Sequence, residues 1–288
     1  MFAGCSPRVS GEQTPAIDTV VYTDGAGRSV RIPRHPKRII SLAPNVTETL
    51  YMLGLEDRLI GNTIQCNWPE AAKLKPKIGD LLNPNYERII EAKPDLVISS
   101  TAGNDQAAVQ KLSKLGVPVY VTAPRTLDMI FQTIEEIGRV TDREDEGQKL
   151  VEEMRARLKE IQRKIAGRPP LRALFITWFD PLLTPGKNTF ETDVLRCSGV
   201  ESITSDIEQY YPRYSLEQVL INDPDVILTI EHTGDPLPDF KRTAGWKNLR
   251  AVREDRVYFL SEYLQHPSPL FVDGVEDMAK KLYPGLFP

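Results

Sequence analysis

"NYERIIEAKPDLVIS" spans residues 85–99, and "YSLEQVLINDPDVILT" spans residues 214–229. Glu87, Pro94 and Asp95 of the first stretch answer to Glu217, Pro224 and Asp225 of the second, each pair 130 positions apart. Asn85 and Ser215 are residues favoured as helix N-caps, because their side-chain oxygens accept from otherwise unpaired backbone N–H groups. Apolar residues follow at helical spacing: Tyr86, Ile89 and Ile90 in one copy, Leu216, Val219 and Leu220 in the other. Pro94 and Pro224 then end each helix. The runs "LVIS" and "VILT" have the β-branched character of parallel strands covered on both faces. One chain thus carries the same helix–strand unit twice.

A second echo lies upstream of each copy. "RIISLAPNVTETLYMLG" (38–54) reads as strand, loop, helix and glycine stop; "ALFITW" (173–178) with "NTFETDVLRCSG" (188–199) reads the same way with a longer loop. Asn45 with Glu48, and Asn188 with Glu191, have the spacing of an N-x-x-E cap. Gly54 and Gly199 close the helices. Asn45 to Glu87 is 42 residues and Asn188 to Glu217 is 29, so the first half carries 13 extra residues, expected around "GNTIQCNWPEAAKLKPKIGD" (61–80). Two matched blocks in the same order point to a pseudo-duplicated α/β protein.

Between the halves, "TLDMIFQTIEEIGRV" (126–140) and "EDEGQKLVEEMRARLKEIQRKIAG" (144–167) are helical in period. The apolar stripe of the second, Leu150, Val151, Met154, Leu158, Ile161 and Ile165, is narrow and flanked by charge, as expected of one long helix bridging two lobes. The expected divisions are a tether at 1–18, a first lobe at 19–125, a helical region at 126–168 and a second lobe at 169–288. "DGAGRS" (24–29) lies between two short β-type runs and reads as a hairpin turn.

With 41% hydrophobic and 26% charged residues, the composition is that of a globular protein. A formal net charge of −4 gives no general pull toward nucleic acid or an anionic membrane. No segment reaches the ~20 apolar residues of a spanning helix, and no phosphate-loop pattern is present. The three cysteines, Cys5, Cys66 and Cys197, include no C-x-x-C pair, which argues against zinc and thioredoxin-type chemistry. Cys66 and Cys197 are expected as free small side chains. "FAGC" (2–5) has the form of a lipoprotein signal's end, with Cys5 as the lipidated residue and the signal itself upstream of Met1.

Ligands of parallel sheets bind outside the strands' carboxyl ends. The predicted loops there are 42–47, 62–70, 79–85 and 99–105 in the first lobe, and 177–188, 205–215, 229–235 and 261–270 in the second. They carry Trp68, Trp178, Phe179, Tyr210, Tyr211, Tyr214 and Tyr263, which can line a cleft for a large flat ligand. His35 is expected in solvent, and His232 and His266 in cleft loops; they are too few for a zinc or manganese receptor. Lys187 and Arg213 in these loops are outnumbered by Asp80, Asp180, Asp206, Glu208 and Glu231, which favours a neutral, bulky ligand. Asp180, Asp206, Glu231 and His232 could serve as acid–base groups in an enzyme, but their spacing does not demand it and no G-x-S-x-G motif appears.

The segments "RIISLAPNVTETLYMLG", "NPNYERIIEAKPDLVIS" and "SLEQVLINDPDVIL", with a long helix between, resemble the substrate-binding proteins of ABC importers for corrinoids, haem and iron–siderophores, over residues 30–285. The resemblance implies two lobes joined by one long helix, no catalysis and no catalytic cofactor. It implies a monomer outside the cytoplasm, lipid-anchored through Cys5, delivering its ligand to a permease dimer with its ATPase. "CNWPE", "PLLTPGKNT" and "HPSPL" are similar to the cobalamin-binding branch. On that basis the expected ligand is cobalamin or a related corrinoid, with haem or a ferric siderophore as the alternative and a corrinoid-handling enzyme or carrier as the remote one. The ligand-contacting residues implied are Pro44, Asn45, Asn67, Trp68, Leu81, Trp178, Phe179, Tyr211, Tyr263 and His266. Two departures stand out: Ser100 and Leu81–Leu82 occupy positions where cobalamin binders often place aromatics. Glu87 and Glu217, one in the first turn of each repeated helix, match the positions that form salt bridges to arginines of the two permease subunits.

Overall fold

The computed structural model describes residues 18–230, 238–264 and 266–287 of the 288-residue chain. Cys5, Glu231 and His232 lie outside the described residues.

A hairpin comes first, β1 (Thr19–Thr23) against β2 (Ser29–Pro33), paired antiparallel. Asp24 in its turn is buried. Its carboxylate accepts the Arg28 backbone N–H at 2.9 Å and the Val121 N–H at 3.2 Å, which fastens the hairpin to the first lobe. That lobe contains β3 (Ile39–Ser41), α1 (Pro44–Met52), β4 (Leu59–Gly61), α2 (Glu70–Lys73), α3 (Tyr86–Glu91), β5 (Leu96–Ser100), α4 (Gln106–Lys114) and β6 (Val119–Thr122). Two helices, α5 (Leu127–Val140) and α6 (Glu144–Ile165), lead to the second lobe. It contains β7 (Leu171–Ile176), α7 (Phe190–Cys197), β8 (Val200–Ser202), α8 (Leu216–Asn222), β9 (Val226–Ile230), α9 (Arg250–Arg253), β10 (Val257–Leu260) and α10 (Phe271–Leu282).

The first lobe's sheet has the order β4-β3-β5-β6 and the second's the order β8-β7-β9-β10, with every pairing parallel. Counted along the chain within each lobe, both sheets run second, first, third, fourth. The duplication seen in the sequence is therefore a duplication of topology. The first lobe's extra length falls between β4 and α3, where α2 stands.

The repeated Pro-Asp has a local structural task. Asp95 accepts the backbone N–H groups of Lys37 and Arg38 at 2.7 and 2.9 Å, and Asp225 accepts that of Arg172 at 2.8 Å. Each aspartate thus fixes the start of its lobe's first strand beside its third. Arg38 then donates to the carbonyls of Ala92 and Lys93 at the end of α3, and Arg172 to that of Asn222 at the end of α8. These bonds satisfy carbonyls that a helix C-terminus leaves without intrahelical partners. Asn85 and Ser215 cap α3 and α8, accepting from the N–H groups of Arg88 and Gln218.

The N-x-x-E caps expected at Asn45 and Asn188 do not form. Pro44, whose fixed φ suits the first helical position, starts α1 after Ala43, so Asn45 and Glu48 fall inside the helix and are buried. Thr189 is the cap of α7, its hydroxyl accepting from Thr192 at 3.4 Å, while Asn188 sits just outside with φ +61°.

At 1.5 Å per residue the 22 residues of α6 span about 33 Å. Its buried stripe of Leu150, Val151, Met154, Leu158, Ile161 and Ile165 packs on α5 and α10. One apolar cluster runs from Ile32 and Leu50 in the first lobe, through α5 and α6, to Phe271 and Met278 in the second. The lobes are thus held by a shared core as well as by chain connectivity.

Candidate ligand-binding cleft

The carboxyl ends of both sheets open onto one cavity of about 510 Å³, within the range of small-molecule sites. Thr101, directly after β5, and Arg125, just after β6, line it from the first lobe. Glu191 in the first turn of α7, Tyr210 and Tyr211 after β8, and His266 after β10 line it from the second. A second recess of about 530 Å³ shares Thr101, Arg125 and Tyr210 and continues toward the β1–β2 turn at Gly25 and Ala26.

The tyrosine wall is built by a close backbone approach. Gly186 N–H donates to the Tyr210 carbonyl at 2.8 Å, and Lys187 N–H to that of Ile207 at 2.7 Å. A Cβ at position 186 would lie 2.0 Å from the Gln209 carbonyl oxygen, so only glycine admits this contact. The Gly186 carbonyl accepts the hydroxyls of Thr189 and Thr192 at 2.9 and 2.7 Å, locking the same loop to the start of α7. Tyr211 can then reach α7, where its hydroxyl donates to both Glu191 oxygens at 3.1 and 3.3 Å. Burial pushes the Glu191 carboxyl above the usual range, an effect opposed by its own backbone N–H and by the Tyr211 hydroxyl. Burial and the neighbouring Glu191 push the Tyr211 hydroxyl up as well.

His266 joins the lobes. Its Nε2 lies 2.7 Å from Glu48 Oε1 on α1, a contact between residues 218 positions apart. The Glu48 side chain is 5% exposed, and among the described residues its second oxygen has no hydrogen-bond partner. Arg125 is exposed at the cavity and makes no ion pair among the described residues.

Of the ten ligand-contacting residues expected from the sequence, Tyr211 and His266 line the cavity. Asn45 is buried beneath the first lobe's strand ends, its Nδ2 donating to Ser100 Oγ at 3.2 Å, and Pro44 is the adjoining first residue of α1. Leu81 packs against the core, with its carbonyl held by Asn104 Nδ2 at 2.8 Å. Asn67 is exposed and Trp68 half-buried, and neither is among the residues that line the cavity. Trp178 donates its indole N–H to the Asp180 carbonyl at 2.8 Å. Phe179 turns into the second lobe, its ring centroid 6.2 Å from that of Phe240 and 5.6 Å from that of Trp246, and serves packing there. Tyr263 is half-buried in the turn after β10. Glu87 and Glu217 are exposed in the first turns of α3 and α8.

Arg125 and Glu191 were not anticipated as cavity residues. Arg125 follows the strand "VYVT", and the rule that marks strand carboxyl ends applies there too. Glu191 carried the signature of a cap, which concealed its place on the wall. Cys66 and Cys197 are buried free thiols, one in each lobe. Burial raises both above the usual thiol range, Cys197 to about 11. Among the described residues no group of three His, Cys, Asp or Glu side chains is placed to hold a metal ion, and no helix is long and apolar enough to cross a membrane.

Two lobes of repeated topology, a long connecting helix and a cavity between opposed strand ends define a protein that holds a solute between its lobes. Residues 39–264 match the model of the periplasmic binding protein family, and the chain belongs to that family. It is a substrate-binding protein of the ABC-importer class. The chain is 32% identical over 252 residues to a vitamin B12-binding protein of Vibrio cholerae, covering 87% of this chain and 90% of that one. It is 30% identical over 300 residues to an uncharacterized ABC transporter substrate-binding lipoprotein, YvrC, of Bacillus subtilis, covering 100% of this chain and 94% of the relative. The solved structure of the periplasmic vitamin B12 binding protein BtuF of Vibrio cholerae superposes with a TM-score of 0.75 at 32% identity, covering 86% of this chain and 97% of that one.

Proposed function

We propose that the chain captures cobalamin or a related corrinoid between its lobes and delivers it to an ABC permease. The observation that carries this reading is the pair of rings at the cavity, Tyr210 and Tyr211, left 49% and 43% exposed. Aromatic faces supply contact area at low entropy cost, and a broad macrocycle would cover both. The similarity to B12-binding relatives over most of the chain supports the same ligand. Calorimetry with cobalamin, haem and a ferric siderophore side by side tests it. Heat from cobalamin is expected, and heat from haem or the siderophore alone would refute the corrinoid assignment. Tyr211→Ala should weaken binding by about 1–3 kcal/mol.

Arg125 supports a second reading. A guanidinium at the cavity that makes no ion pair among the described residues suits an anionic ligand, as haem and ferric siderophores are. The same titrations separate the two.

The equivalent placement of Glu87 and Glu217 supports a docking role. A permease dimer with twofold symmetry presents the same surface twice, and each lobe would offer it one carboxylate. The protein would then work outside the cytoplasm, held to a membrane by lipid on Cys5.

A further inference from the structure

Glu191 poses a problem for any ligand that fills the cavity. The residue lines the wall, and Tyr211 donates a hydrogen bond to its carboxyl. Of the charged groups nearby, Asp193 and Arg196 belong to its own helix, and Arg196 is engaged with Glu201 at 3.1 Å. Arg125 and His266 share the cavity, but neither forms an ion pair with Glu191, and His266 is turned to Glu48. A ligand entering this space displaces the water that still reaches the carboxyl. One hydroxyl shared between the two oxygens at 3.1 and 3.3 Å leaves most of their acceptor capacity open, so they then need a further donor from the ligand, because a buried carboxylate short of hydrogen bonds is strongly unfavourable. A primary amide supplies such a donor. A carboxylate brings a second negative charge instead, which either repels the first or has to be met by a proton.

We infer that Glu191 is a specificity-determining residue that selects ligands with a neutral amide periphery over ligands with carboxylates at the same place. This rests on the corrinoid reading above and names what distinguishes an acceptable macrocycle from a rejected one. Burial raises the affinity of the Glu191 carboxyl for its proton, against the pull of its own backbone N–H and of Tyr211. Arg125 would attract a carboxylate wherever the ligand brings one to it, but it makes no pair with Glu191 and so leaves that carboxyl's requirement for a donor in place.

The test uses two corrinoids that share a ring and differ in its edge: cobinamide, which carries amides, and cobyrinic acid, which carries carboxylates. Each is titrated calorimetrically into the wild-type protein, Glu191→Gln and Tyr211→Phe, with circular dichroism establishing that all three are folded. The wild type should prefer cobinamide by at least about tenfold, the scale of discrimination that one repulsive contact provides. Glutamine keeps the shape and adds a donor without charge. Glu191→Gln should weaken cobinamide binding, because a neutral acceptor replaces the carboxylate that takes the amide proton, while tightening cobyrinic acid binding, so that the preference falls to about threefold or less. Tyr211→Phe removes the donor that favours the charged carboxylate, so the preference should narrow in the same direction by a smaller factor. A preference unchanged in Glu191→Gln, or equal losses for both ligands, overturns the inference while the corrinoid reading stands. Failure of the wild type to bind either corrinoid overturns both.

Discussion

Replacing His266 by alanine should destabilise the apoprotein by an amount set by Glu48. The imidazole contacts Glu48 Oε1 at 2.7 Å, the carboxylate is 5% exposed, and Oε2 lacks a partner among the described residues. Without His266, neither oxygen keeps a hydrogen bond among the described residues. Removing one partner of a buried charged pair costs about 3–5 kcal/mol. Because His266 itself is 29% exposed, the vacated space opens toward the cavity and admits water, which reduces the cost to about 2–4 kcal/mol. At roughly 2–4 °C per kcal/mol for a chain of this size, the melting temperature should fall by about 4–16 °C in scanning calorimetry. A single transition is expected, since one apolar cluster runs through both lobes. Glu48→Leu in the His266→Ala background should recover much of the loss, because no buried charge is then left without a partner. A His266→Ala protein melting within about 1 °C of the wild type, or a double variant whose losses simply add, would refute the reasoning.

Glu191→Gln should change how stability depends on pH. The folded protein holds the Glu191 proton above the ordinary value of 4.5, so stability contributed by that proton is present below this pH and is lost as pH rises through the folded value. The variant lacks this loss, so its melting temperature relative to wild type should rise from pH 4.5 to pH 8; a constant difference would argue against it. Cys66 and Cys197, buried and with raised thiol pKa values, should resist alkylation at pH 7.5 in the native state and react after denaturation, as read by peptide mass mapping. Glu87→Arg with Glu217→Arg should abolish transport in reconstituted vesicles and leave ligand affinity within about twofold, since both side chains are exposed at helix starts away from the cavity. Normal transport by that variant would dismiss the docking role.

The sequence by itself determined the architecture. Asn85 and Ser215, Pro94 and Pro224, and the runs "LVIS" and "VILT" act within a few residues of themselves, through caps, ring sterics and β-branching. A repeat of such short-range signals survives as a repeat of topology, even with α2 inserted in one copy. The narrow stripe of α6 likewise marked a helix spanning two bodies. The walls of the cleft were a different matter. Glu48 and Glu191 stood three residues after an asparagine and read as cap members, yet Pro44 and Thr189 took over the helix starts and released both carboxylates for other contacts. Phe179 lies in a loop marked as cleft and packs instead on Phe240 and Trp246, because the loop folds back over its own lobe. Glu48 meets His266 across 218 positions, and Tyr211 reaches Glu191 because Gly186 lets two backbones touch. Such pairings are set by how the lobes pack on a shared core, where partner choice depends on distances that no local pattern encodes.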